Sequence, residues 1–308
     1  MIINSGQRTD IPAFYSEWFI NRIREGYVLV RNPYNPSLVT RYELYPEVVD
    51  ILSFCSKNPA PMLKYLDELS KYRQFWSVTI TPYDKDIEPN VPDKDMVIDA
   101  FINISKKVGK SCMSWRYDPI LINEKYTLDF HVKAFENMAK RLCGYTDKAV
   151  ISFIDIYAKT LKNFPQATEV KSEDRDVIGR EFSRIAENYG IKIYSCLEGV
   201  QLEKYGIDAS GCLTKEVLEG AFNERLDVPK TKGARQGCNC LLGNDIGQYN
   251  TCPHMCRYCY ANYDRKTVMA NYNRHIPTSP LLIGELMPGD TVKDAKQFSY
   301  ISDQLILY

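Results

Sequence analysis

The feature that most limits what this chain can fold into is an alternation of β-branched runs with amphipathic stretches over its first two hundred residues. Strand-like runs occur at Met1–Asn4, Tyr27–Arg31, Val48–Phe54, Phe75–Thr81, Ser111–Arg116, Ala149–Ile156 and Ile191–Cys196. Between them, apolar residues recur at helical spacing. Phe14, Trp18 and Ile23 follow Asp10, Met62, Leu66 and Leu69 follow Asn58, and Val97, Phe101, Ile104 and Val108 follow a Pro- and Asp-rich loop. Leu128, Phe135, Met138 and Leu142 mark another helix, and two more are expected over Ile178–Tyr189 and from Thr214. Such repetition implies parallel strands joined by right-handed crossovers. Seven units exceed most simple open sheets, so the expected fold is α/β, a TIM-like (β/α) barrel, complete or slightly open.

The barrel is expected to occupy residues 1–226. Beyond it the periodicity fails, and residues 227–308 read as a cysteine-rich segment packed on the C-terminal face of the strands. That segment carries a helix near Lys266–Tyr272 and a strand at Leu281–Glu285.

Within this segment stands Cys252-Pro-His-Met-Cys256-Arg-Tyr-Cys259. Three thiols at spacings of four and three residues can close around one iron–sulfur cube, whose fourth iron then takes another ligand. With Cys238 and Cys240 the same thiols could instead build a tetrahedral zinc site, although x3 followed by x2 is unusual for zinc knuckles. Cys196, Cys212, Cys238 and Cys240 form a second candidate set, able to hold another cluster or lend a ligand to the first. The bland alternative leaves Cys196 and Cys212 as buried bystanders. Cys55, Cys112 and Cys143 sit in apolar contexts and read as small core residues.

Composition narrows the classes. Of 308 residues 44% are hydrophobic, and 39 basic side chains balance 39 acidic ones, so net charge gives no pointer to nucleic acid or a membrane surface. No run approaches the ~18 apolar residues that span a bilayer. The start, MIINSGQRTD, lacks a basic region followed by an apolar one, so no secretory signal is expected. Ten cysteines are then expected to be reduced and metal-binding, in a cytoplasmic protein.

Parallel barrels gather their active sites at the C-terminal ends of strands. Those ends supply Arg8 and Asp10, Arg31 and Asn32, Lys57 and Asn58, Arg116-Tyr117-Asp118, Asp155, and Glu198 beside Cys196. Charges of both signs at one mouth suit a small polar, anionic or zwitterionic substrate. Arg8, Asp10, Lys57, Arg116, Tyr117 and Asp118 are the candidate substrate-orienting residues. Taken singly, Asp10 and Asn58 could simply cap helices, and Arg116 with Asp118 could be a structural ion pair. His254, inside the cysteine loop, is placed to hydrogen-bond a sulfide, whereas His131 lies on a helix and reads as structural.

The stretches RTDIPAFYSEWF, VRNPYNP, KNPAPML, DIEPNVP, WRYDPIL and DIGQYNTCPHMCRYCYAN resemble the bacterial family known as domain of unknown function 1848. The cysteine motif, with Tyr258 before its last Cys, is similar to the cluster motif of the radical S-adenosylmethionine enzymes. That likeness implies a 4Fe-4S cluster on Cys252, Cys256 and Cys259, with S-adenosylmethionine on the open iron. It also implies a 5′-deoxyadenosyl radical acting on a substrate in the barrel mouth, and a low-potential donor such as ferredoxin or flavodoxin. Tyr258, Glu198 and the pair Gly284-Glu285, a partial echo of the superfamily's glycine–glycine–glutamate segment, are the candidate cofactor contacts. Two departures stand out: the strands precede the motif instead of following it, and the full glycine–glycine–glutamate segment is missing. The alternatives are an iron–sulfur protein that does not use S-adenosylmethionine, redox or Lewis-acid, and a zinc-stabilised binding module.

Overall fold

The computed structural model describes residues 1–229 and 237–302. In chain order, β1 (Ile2–Ser5) leads through α1 (Ile11–Phe14) and α2 (Ser16–Glu25) to β2 (Tyr27–Arg31) and β3 (Leu38–Glu43). Then come β4 (Ile51–Ser56), β5 (Arg73–Thr79), α3 (Lys94–Val108), β6 (Met113–Ile120), α4 (Leu128–Leu142) and β7 (Lys148–Phe153). The chain continues through α5 (Ala158–Asn163), α6 (Ser172–Asn188), β8 (Lys192–Ser195), α7 (Lys215–Phe222), α8 (Arg265–Tyr272) and β9 (Thr291–Asp294).

Six strands form one parallel sheet in the order β1-β4-β5-β6-β7-β8, so each crossover adds its strand on the same side. The expected barrel is corrected here: among the described residues the sheet does not close. One reason is the fate of Tyr27–Arg31, expected in the main sheet. Asn32 Oδ1 accepts the backbone N–H groups of Tyr34 (2.9 Å) and Asn35 (3.1 Å), an Asx turn that reverses the chain. β2 therefore pairs antiparallel with β3, and β9 adds to β3 in parallel as a separate three-stranded sheet. The run Leu281–Glu285 forms only an isolated bridge, Leu29 with Leu281, beside the β2 strand that pairs with β3.

Each free edge of the six-stranded sheet carries a single parallel bridge, Asn4 with Asp245 beside β1 and Tyr194 with Asp208 beside β8. These flanking segments meet where Leu241 N–H donates to Leu213 O at 2.9 Å.

Strand alternation sorts the side chains into two layers. Ile3, Leu52, Phe54, Trp76, Val78, Trp115, Tyr117, Ile151 and Ile193 face the helices, whose Trp18, Phe101, Phe135 and Phe182 complete the main core. Phe135 stacks on Phe182 at 3.9 Å and on Trp115 at 4.7 Å. Fully burying such a side chain contributes about 1.5–3 kcal/mol. On the other face the early positions Ile2, Ile51, Phe75 and Val150 are apolar and are covered by Val217, Leu218 and Ala221 of α7. Farther along the same face the residues turn polar: Ser53, Cys55, Ser77, Thr79, Arg116, Asp118 and Ser152. The apolar half seals one end of this face, and the polar half is left for the site. Among the described residues no helix is long and apolar enough to cross a membrane.

Candidate functional site

The polar half of the inner face is lidded by the loop carrying Cys252, Cys256 and Cys259. Asp10, just after β1, is the first anchor. Its Oδ1 accepts Ala13 N–H at 3.0 Å and so caps α1, while Oδ2 accepts Lys57 N–H at 2.7 Å. The same Oδ2 lies 2.9 Å from His254 Nε2, inside the cysteine loop. His254 Nδ1 faces Asn90 O at 3.3 Å, and Phe14 meets the imidazole edge-on at 4.6 Å. Asn90 also donates to Pro253 O through its side chain (2.7 Å) and to His254 O through its backbone (3.2 Å). Arg257 N–H reaches Ile87 O at 3.0 Å. The loop is thus bonded to the segments following both β1 and β5.

Glu88 lies under the loop, only 1% exposed. Its Oε1 accepts Lys57 Nζ at 2.8 Å and Thr81 Oγ1 at 2.7 Å, and its carboxylate also pairs with Lys94 and the Tyr258 hydroxyl. Burial opposes the charge on Glu88, yet Lys57 and Lys94 together hold its pKa down at about 2. For Lys57 burial is again adverse, but Glu88 and the Cys256 sulfur outweigh it and the ammonium is held above its ordinary value. Lys94 goes the other way, lowered by burial and by Lys57.

The three loop cysteines share one environment. Burial raises each thiol above its ordinary value, and at Cys252 the charges of Asp10, Cys259 and Cys256 add to it. At Cys256, Lys57 counters the rise. Backbone groups point at the sulfurs: Ala261 N–H donates to Cys259 Sγ at 3.3 Å, and the backbone of His254 bonds Cys252. The loop geometry behind this is local. Met255 (φ 58°) and Asn250 (φ 59°) adopt left-handed backbone, and Cys259 N–H closes a turn on Cys256 O at 3.1 Å. Tyr15 hydroxyl donates to Thr251 O and Asn262 Nδ2 to Cys252 O at 2.7 Å. Thr9 Oγ1 and Asn262 Oδ1 are buried beside this loop with no hydrogen-bond partner.

The expected site residues divide. Asp10, Lys57, Arg116 and Asp118 come together under the loop. Arg116 pairs with Asp118, which also accepts the Ser152 hydroxyl. Glu198, after β8, accepts Phe153 N–H at 2.8 Å and Arg175 Nη1 at 2.9 Å. Burial pushes Glu198 up to about 7 despite both donors. Arg8 instead engages the segment after Asn244, with buried Asp245 at 3.7 Å, Gly247 O at 3.4 Å and the Tyr249 ring. Tyr117 is on the opposite face, because it alternates with Arg116 and Asp118. Its hydroxyl bonds His131 Nδ1 at 2.8 Å within the aromatic core. Gly284 and Glu285 lie against the small sheet, where Arg31 Nη2 donates to Glu285 O at 2.8 Å. Asn58 caps nothing; its own N–H is bonded to Ser56 Oγ at 3.0 Å.

A second thiol group lies deeper. Cys212 Sγ is 3.5 Å from Cys240 Sγ, and Cys196 approaches Cys212. Cys238 is only partly buried. Among the described residues, no group of three or more His, Cys, Asp or Glu side chains stands in position to hold a metal ion.

The model of the family described as "Domain of unknown function (DUF1848)" matches residues 2–261. The chain belongs to the DUF1848 family. The matched span of this DUF1848 protein includes all six strands of the parallel sheet and the whole cysteine loop, and it omits α8 and β9. Comparison with curated proteins gives no match.

Sequence reasoning missed Glu88, Asn90 and Lys94. Glu88 sits in a Pro- and Asp-rich loop rather than at a strand end, so strand-end logic passes over it. Its one signal is an acid between Ile87 and Val91, both of which are buried.

Proposed function

We propose that this DUF1848 protein is an iron–sulfur enzyme of radical S-adenosylmethionine-like character, acting on a small polar substrate at the C-terminal strand ends. The observation that carries the proposal is the environment of Cys252, Cys256 and Cys259. Three thiols, Cys256 buried and Cys252 and Cys259 half-buried, sit on one loop, with backbone N–H groups on Cys252 and Cys259 and the half-buried Lys57 beside Cys256. Such N–H donors stabilise thiolate charge and tune cluster potentials. A cubane offers its ligands separate corners, so its thiolates need not converge as closely as around a single ion. The unpartnered Thr9 Oγ1 and Asn262 Oδ1 leave polar capacity beside the loop for a further group.

Cys252, Cys256 and Cys259 would hold a 4Fe-4S cluster, which with S-adenosylmethionine supplies reductive cleavage to a carbon radical. The chain's own residues do the rest. Asp10 and Asn90 fix the loop through His254 and Pro253. Lys57, held cationic by Glu88, places positive charge beside Cys256 and favours its thiolate. Arg116 and Asp118 offer a paired cation and anion to a polar substrate, and Glu198, poised near neutrality, can hold or release a proton at its carboxylate. Ferredoxin or flavodoxin would serve as electron donor.

A second reading has one observation in its favour. Glu285 O is bonded by Arg31 beside the small sheet and Gly284 O by the Ser279 hydroxyl, which supports an iron–sulfur protein that works without S-adenosylmethionine.

The test is anaerobic purification with iron and sulfide analysis, followed by electron paramagnetic resonance of the reduced protein with and without S-adenosylmethionine. Iron and sulfide lost in Cys256→Ala, with a signal that shifts on adding the cofactor, supports the first reading. An unshifted signal supports the second. Zinc without sulfide discards both.

A further inference from the structure

We propose that Cys212 and Cys240 are a redox-active dithiol that closes reversibly to a disulfide, stapling the seam between the two edges of the parallel sheet. Asp208 bridges to β8 and Asp245 to β1, so the segments 208–213 and 240–246 line the two sheet edges. They are joined by Leu241 N–H to Leu213 O at 2.9 Å, and the two sulfurs face each other across that bond at 3.5 Å.

The surroundings are fitted to the pair. Leu213 N–H donates to Cys240 Sγ at 3.3 Å, which favours Cys240 as the thiolate. Gly211 has φ +121°, and any Cβ there would come within 3.1 Å of the same sulfur. Arg116 lends positive charge to Cys212, and Cys196 extends the thiol row. Both sulfurs are nearly buried, but Cys238, two residues from Cys240, is partly open to solvent.

The oxidant is a small disulfide such as glutathione disulfide. The Cys240 thiolate attacks one of its sulfurs, forming a mixed disulfide and expelling one small thiolate, which takes up a proton. Cys212, on losing its proton to solvent, attacks the Cys240 sulfur and expels the second. Two protein thiols become one disulfide, and one small disulfide becomes two thiols.

The experiment equilibrates the full chain over a range of reduced-to-oxidised glutathione ratios, then quenches with acid, alkylates and maps peptides by mass. The expected result is a reversible Cys212–Cys240 cross-linked peptide, while exposed Cys143 carries only glutathione or alkyl groups. In Cys212→Ser the cross-link is lost and Cys240 accumulates the mixed disulfide. Full alkylation of both cysteines at every ratio, in protein whose circular dichroism is native, would overturn the proposal. So would bound metal whose stoichiometry falls in Cys240→Ser but not in Cys256→Ala. Neither result depends on whether Cys252, Cys256 and Cys259 carry a cluster.

Discussion

Asp10 Oδ2 accepts the backbone N–H of Lys57 at 2.7 Å while lying 2.9 Å from His254 Nε2, so one carboxylate ties the first strand's exit to the fourth strand's exit and the cysteine loop. Asp10→Ala removes a helix cap and strands two buried donors. The expected loss is about 2–4 kcal/mol. Urea unfolding of the variant against the parent checks it, and a change under about 0.5 kcal/mol, the scale of a surface substitution, contradicts the role.

Glu88 pairs with both Lys57 and Lys94, and its removal leaves two partly buried ammonium groups facing each other. Glu88→Gln is expected to cost about 3–5 kcal/mol. Replacing Lys57 by Met in the same chain relieves part of that loss, because one uncompensated charge then goes. The double-mutant cycle in denaturant measures the relief.

His131 is fixed as a neutral ring, with Nε2 2.8 Å from Leu121 O and Nδ1 2.8 Å from the Tyr117 hydroxyl. Burial lowers its pKa from 6.5 to about 4. A depressed folded pKa means that the folded chain binds fewer protons. The contribution of about 3 kcal/mol is therefore present above pH 6.5 and is lost as pH falls toward 4. Glu88, lowered from 4.5 to about 2, adds a second loss in the window below it. Glu198, raised to about 7, acts in the opposite sense over the same window. The check is therefore the difference in unfolding free energy between parent and His131→Phe at half-unit steps of pH. It should change by about 3 kcal/mol between pH 6.5 and 4 and stay constant below it.

Gly6 has φ +143°, and an added Cβ would sit 2.1 Å from the carbonyl oxygen of Cys55. The obstacle is backbone, so no side chain can swing aside. Gly6→Ala should cost about 3 kcal/mol or more, with no rescue by Cys55→Gly. Recovery of soluble protein and thermal unfolding of the single and double variants decide it.

Much of this arrangement could be read from local pattern. Six of the seven strand-like runs became the parallel sheet, shifted by a few residues at their ends, and Thr214 caps its helix by accepting Val217 N–H at 3.3 Å. Local pattern could not say that Tyr27–Arg31 would fold back on Leu38–Glu43, because a buried run looks alike in either sheet and the turn at Asn32 makes the choice. Nor could it show whether the ladder closes, which depends on contacts between residues two hundred positions apart. At the site, Asp10 and Lys57 were legible from strand ends. Tyr117 was not, since its neighbours claim the inward positions. Glu88 was hidden because a loop acid becomes central only once two lysines and a tyrosine from three other segments surround it.

The bond between Asp10 and His254 spans 244 positions, which has a consequence for synthesis. The free edge of β1 is covered only when Asn244–Ile246 arrives, since Asn4 N–H bonds Asn244 O and Ile246 N–H bonds Asn4 O, each at 2.9 Å. At bacterial-to-eukaryotic elongation rates that interval is roughly 12 to 50 s. During it the nascent chain carries an unpaired parallel edge of the kind that recruits other strands. The cysteine loop leaves the ribosome after the sheet it must sit on, so it docks on a scaffold already laid down.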